Sequence, residues 1–67
     1  MIEVTLNGEV TKVEDGLKLD QLLESLDLPS TRIAVERNRR VVPRASFSTE
    51  PIESGDILEV VTFVGGG

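Results

Sequence analysis

The stretch that decides the fold is DILEVVTFV, Asp56 to Val64. It is a nearly continuous apolar, β-branched run without proline, the composition of a strand inside a sheet rather than at its edge. Successive side chains along a strand point to opposite faces. Leu58, Val60 and Thr62 therefore share one face, and Ile57, Glu59, Val61 and Phe63 share the other. A glutamate is rarely buried without a partner. Glu59 thus assigns its own face to solvent and leaves Leu58 and Val60 to the core.

An internal strand needs neighbours, and the chain upstream supplies them. IEVTL (Ile2 to Leu6) alternates apolar and polar residues, and Asn7-Gly8 follows it. Asn-Gly between alternating runs signals a hairpin, because both residues accept positive φ. EVTKVE returns over residues 9–14, closed by Asp15-Gly16. In LKLDQLLESLDLPS, Leu19, Leu22, Leu23 and Leu26 form one helical stripe, with Asp20 and Glu24 early and Pro29 as the stop. RIAVERN reads as a strand, Asn38-Arg39 as a turn, and VVPR as a short strand that Pro43 places at an end or edge. ASFSTEPIESGD carries turn signals and one short helical turn, with Phe47 as a plug beneath it, before Gly55-Asp56 opens the last strand.

The order is β-hairpin, helix, two strands and a final central strand. That is an α+β arrangement, a ubiquitin-like β-grasp, in which a mixed sheet of four to five strands grips one main helix. The expected core comprises Leu6, Leu22, Leu23, Leu26, Val35, Leu58 and Val60. The domain is assigned to residues 1–64, and residues 65–67 form a flexible glycine tail.

Composition narrows the function. The chain has 67 residues, so it makes one small domain. It lacks cysteine and histidine, which removes thiol nucleophiles, thiolate metal sites and the commonest general base. No apolar run approaches the ~20 residues that span a bilayer, and the acidic, alternating N-terminus is unlike a signal peptide. A soluble, cytoplasmic protein is expected. The net charge of −5 argues against nucleic acid or anionic membrane as partner. All five arginines lie between Arg32 and Arg44 with one acid, Glu36, while the rest holds Lys12 and Lys18 against eleven acids. Such a segment is either a docking surface or the solvated edge of a hairpin.

Two features are left over. Ile57, Val61 and Phe63 form an apolar cluster on the open face, with Glu3 and Thr5 of the first strand beside them. It is either a protein-binding patch or a surface covered by a loop or a second copy. After Val64 the chain reads Gly65-Gly66-Gly67. Glycine loses the most backbone freedom on ordering, so a terminal triplet is either slack or a working end that needs to be slim.

AVERNRRVVPR (Ala34 to Arg44), taken with the closing GDILEVVTFVGGG, resembles the ThiS family, the ubiquitin-like sulfur carriers of thiamin thiazole synthesis. The resemblance spans the whole chain. Val42-Pro43-Arg44 combined with a VGGG ending favours this family over other β-grasp families that end in Gly-Gly. Gly65 departs from some members, which carry another small residue there.

The resemblance implies a carrier rather than an enzyme. The Gly67 carboxylate, next to Gly66, would attack the α-phosphorus of ATP in an E1-like adenylyltransferase, which supplies the ATP and Mg²⁺; the carrier itself binds no cofactor. A persulfide drawn through a cysteine desulfurase or a persulfide relay would displace AMP. Reductive release would leave a thiocarboxylate, 1-thioglycine, at Gly67, and thiazole synthase would receive the sulfur. Val61, Phe63 and Val64 are the partner-binding candidates. The competing readings are a carrier for another pathway, such as the small subunit of molybdopterin synthase or a ubiquitin-like modifier, and a β-grasp module that binds a nucleotide or RNA.

Overall fold

The computed structural model describes residues 1–28 and 31–63. Strands β1 (Ile2–Leu6) and β2 (Glu9–Val13) precede helix α1 (Leu19–Ser25), and β3 (Ile33–Arg37), β4 (Arg40–Val42), a 3₁₀ turn (Arg44–Ser46) and β5 (Ile57–Thr62) follow it. The sheet has five strands in the order β2-β1-β5-β3-β4. β5 lies in the centre, parallel to β1 and antiparallel to β3, while β1–β2 and β3–β4 are antiparallel hairpins. This is the β-grasp expected from the sequence.

Both hairpin turns use left-handed backbone at two successive residues. Asn7 and Gly8 have φ of 49° and 85°, and Asn38 and Arg39 have φ of 53° and 71°. This geometry matches the right-handed twist of the flanking strands.

The core face follows the alternation. Val4, Val13, Leu19, Leu22, Leu23, Ile33, Val35, Val42, Phe47, Ile52 and Leu58 form one buried cluster. Of the expected core residues, Leu22, Leu23, Val35 and Leu58 are buried, whereas Leu6, Leu26 and Val60 pack against the cluster and stay partly exposed. Phe47 is the plug its position suggested. Ile52 had no periodic signal, because it sits in an irregular segment.

Asp20 lies in the first turn of the helix as expected, and backbone groups complete both helix ends. At the start, the Leu19 and Asp20 N–H groups donate to the Glu50 and Phe47 carbonyls at 2.8 and 3.0 Å, and the Lys18 N–H donates to Gln21 Oε1 at 2.9 Å. The 44–52 segment therefore caps α1, and a short Lys18–Pro51 bridge fixes it there. At the other end, Asp27 takes φ 61°, its N–H reaches the Glu24 carbonyl, and the Leu28 N–H reaches the Leu23 carbonyl. That double bond pattern closes a helix before any proline is needed. Pro29, the expected stop, lies outside the described residues.

One charged group is taken inside. Asp56 is only 5% exposed, and Arg37 donates to it through Nε at 2.7 Å and Nη2 at 3.3 Å. The same guanidinium reaches Glu50 at 3.1 Å and Glu53 at 3.4 Å. Asn38 Nδ2 and the Glu53 N–H also donate to the Asp56 carboxylate. Burial acts to raise the Asp56 pKa, but the hydrogen bonds from Arg37, the Glu53 backbone and Asn38, with the Arg37 charge, outweigh it and hold the carboxyl below its ordinary value. The Asp56 bonds in turn raise the Arg37 pKa.

Two outcomes are expected. Leu23→Ala removes a fully buried side chain and should cost about 2–5 kcal/mol in urea unfolding, against almost nothing for the exposed Glu24→Ala. Asp56 titrates lower folded than unfolded, so its contribution is complete above the unfolded pKa near 3.9 and is lost as pH falls through the folded value. Asp56→Asn should be less stable at pH 7 by about 1.5–3 kcal/mol, the range for hydrogen bonds to charged groups. Its stability should also fall less steeply than wild type below about pH 4, measured by denaturant titration at each pH.

Candidate functional site

The site begins where β5 leaves the sheet. β3 stays paired with β5 as far as Ile33 opposite Thr62, and the Phe63 N–H then donates to the Arg32 carbonyl at 2.7 Å. β1 parts company earlier, with Leu6 opposite Leu58 as the last backbone pair. The strand therefore emerges along the β3 side of the sheet, with Phe63 as the last described residue. Val64, Gly65, Gly66 and Gly67 lie outside the described residues.

The open face carries what the alternation of β5 required. Leu58 is fully buried, while Ile57, Val61 and Phe63 are each half exposed or more, Phe63 by 57%. The registers bring further residues onto this face. Thr5 lies opposite both Val10 and Ile57, Ala34 opposite Val61, and Glu36 opposite both Glu59 and Val41. Val10 and Val41 are the most exposed apolar side chains of the strands, at 69% and 70%. A shallow depression lined by Ala34, Glu36, Val41, Glu59 and Val61 crosses the face. The apolar surface is therefore broader than the cluster read from one strand. Val41 and Val10 were missed because a face shared by five strands is assembled by register, and no single segment displays it.

Glu36 directly opposite Glu59 contributes nothing to stability, since like charges across a ladder repel. Both glutamates are exposed in the middle of the apolar surface.

The arginine-rich segment does not form one patch. Arg37 turns to the other side and is occupied by Asp56, Glu50 and Glu53. Arg39 and Arg40 lie at the β3–β4 turn. Arg32 lies at the opposite end of β3, and Arg44 lines a depression with Thr31 and Asp20 at that end. Arginines adjacent in sequence are thus divided between a structural ion cluster and the two ends of a hairpin.

Among the described residues, no helix is long and apolar enough to cross a membrane.

Comparison with known proteins agrees with this geometry. The sequence profile of the ThiS family matches residues 3–67. The chain is 33% identical over 63 residues to the sulfur carrier protein ThiS of Bacillus subtilis, covering 92% of this chain and 96% of that one. It is also 36% identical over 66 residues to a thiazole synthase of Paramagnetospirillum magneticum, where the match takes in 98% of this chain but spans only 20% of the synthase. The crystal structure of the thiamine biosynthesis protein ThiS from Geobacter metallireducens superposes with a TM-score of 0.85 at 30% identity, covering 98% of this chain and all of that one. With the profile matched over nearly its whole length, the chain belongs to the ThiS family.

Proposed function

We propose that the protein is a sulfur carrier of thiamin biosynthesis whose Gly67 carboxylate is activated and converted to a thiocarboxylate. The observation that carries this reading is the central strand. β5 is held on both sides within the domain and runs out of the sheet at Phe63 toward Gly65-Gly66-Gly67. A folded body thus presents a terminus with no side chains, slim enough to enter another protein's nucleotide site. Membership of the ThiS family and similarity to a named sulfur carrier support it.

The chemistry is a sequence of displacements. One oxygen of the Gly67 carboxylate, ionised at neutral pH, attacks the α-phosphorus of ATP and pyrophosphate leaves. A persulfide sulfur then attacks the acyl carbon of the adenylate, and AMP leaves with the bonding pair. This yields an acyl disulfide. A second thiol attacks the donor's sulfur in that disulfide, supplying the two electrons and becoming oxidised itself, and the terminal thiocarboxylate is released. The carrier provides no catalytic group. ATP, Mg²⁺ and the persulfide belong to an E1-like adenylyltransferase and a cysteine desulfurase or persulfide relay, all cytoplasmic. Similarity to a segment of a thiazole synthase supports that enzyme as the acceptor.

The open face around Val61 and Phe63 is the surface on which these partners dock, and its burial offsets the entropy lost when the tail is ordered. Phe63→Ala should leave the melting temperature nearly unchanged, because the ring is already 57% exposed. It should weaken binding to the activating enzyme or the thiazole synthase by tenfold or more, as read by titration calorimetry, since a buried aromatic anchor is worth on the order of 2 kcal/mol. Unchanged affinity would remove this residue from the interface.

The terminus gives the decisive test. Incubation with the activating enzyme, ATP and a sulfur source should add about 16 Da, oxygen replaced by sulfur, with fragmentation placing the mass on Gly67. Deleting Gly67, or appending one residue, moves the reactive carbon by about 3.5 Å. A misplacement of ~1 Å can already cost ~100-fold in rate, so both variants should lose activation while keeping the fold. Equal activation of free and extended tails would exclude a C-terminal carrier.

A further inference from the structure

We propose that Asn7 is a positioning residue for the reactive end: its side-chain amide stands in for one more peptide of β1, pins Val60, and sets the point from which the tail is measured. The inference rests on the reading of the chain as a C-terminal carrier.

The ladder between β1 and β5 shows why a substitute is needed. The Thr5 N–H donates to the Asp56 carbonyl at 2.8 Å, and the Asn7 N–H donates to the Leu58 carbonyl at 2.9 Å. Bonds on this side of β5 fall on alternate residues, so Val60 comes next. By then β1 has reversed, because Asn7 and Gly8 are the left-handed pair of the hairpin turn, and its backbone no longer follows β5. The Asn7 side chain continues instead. Its Oδ1 accepts the Val60 N–H at 2.8 Å, and its Nδ2 donates to the Val60 carbonyl at 3.2 Å. A primary amide has one acceptor and donors in the geometry of a peptide group, so both edge groups of Val60 are met as a strand would meet them.

Asparagine suits the position on two counts. It tolerates the left-handed φ of 49° that the turn demands, and it can both donate and accept at this reach. Aspartate shares the first property but, ionised, only accepts.

The consequence lies downstream. Through Val60, β5 is held on both sides; from Val61 to Phe63 it is held by β3 alone. Residues 61–67 follow the pinned point and span at most about 25 Å when extended, at ~3.3–3.6 Å each. Within such a fixed length, the place and direction in which the strand leaves its two-sided support determine where a docked carrier can deliver its terminal carbon. The Asn7 bonds are solvent-exposed and lie outside the core cluster, so their loss need not unfold the domain.

The test uses the full chain with two substitutions. Asn7→Gly keeps the left-handed turn and removes the amide; Asn7→Asp keeps the turn and the acceptor and loses the donor. Amide hydrogen exchange by NMR should show Val60 protection falling at least tenfold in Asn7→Gly, with Val4 and Leu58 unaffected. In pyrophosphate release by the E1-like enzyme with MgATP, kcat for the Asn7→Gly carrier should fall by about tenfold or more, as small misplacements of reacting atoms do. KM should stay within about twofold, because the docking face is intact, and Asn7→Asp should fall between the two. A freed Val60 amide with kcat and KM both at wild-type values overturns the positioning role alone, as does a raised KM with unchanged kcat. Failure of the wild-type carrier to release pyrophosphate overturns the carrier reading and this role with it.

Discussion

The contact between the Arg37 guanidinium and the Asp56 carboxylate governs how the central strand starts. A carboxylate this buried would be untenable alone, and four hydrogen bonds from Arg37, Asn38 and the Glu53 backbone make it tenable. Those contacts join the end of β3 to the Gly55-Asp56 turn, immediately before β5 begins at Ile57. Glu50, drawn in by the same guanidinium, also accepts the first helical N–H from Leu19. A single charged cluster therefore couples the irregular 44–56 segment to the start of both β5 and α1. In a domain of this size, where the apolar core is small, that coupling replaces what more layers would provide elsewhere.

With β5 fixed at its start, its two faces acquire different fates. The Leu58 face is sealed by α1 and by Phe47 and Ile52. The Ile57–Val61 face has no covering layer in the described chain, and the flanking strands enlarge it with Val10, Ala34 and Val41. Apolar side chains exposed there, around two glutamates that repel one another, are poor for the isolated domain and suitable for a surface that is buried on docking. Support for β5 also decreases in steps toward its end, from two strands, to one strand and the Asn7 amide, to β3 alone. The proposed carrier role calls for such a gradation, from a body held on both sides to an end that another protein can receive.

Much of this was legible in the sequence because its signals are local. Asn7-Gly8 and Asn38-Arg39 marked the hairpins, the leucines at 19, 22, 23 and 26 marked the helix, and Glu59 identified the solvent face of β5. Each depends on periodicity or turn chemistry within a few residues. Less legible was what backbone groups do. The Asp27 and Leu28 N–H groups close the helix ahead of Pro29, the stop marked in the sequence, which lies outside the described residues. The five arginines, read together as one basic segment, are separated by strand direction and by the occupation of Arg37.

By itself, then, the sequence determined which segments are strands, which face of β5 is apolar, and that Gly65-Gly66-Gly67 follow the last strand, since alternation and side-chain size are properties of consecutive residues. Only the tertiary structure decided that Asp56 is buried against Arg37, that Val10 and Val41 join Val61 on one surface, and that the Asn7 amide reaches Val60. Those pairings span 19 to 53 positions along the chain, and a contact at that separation is created by register between strands, which no local pattern encodes.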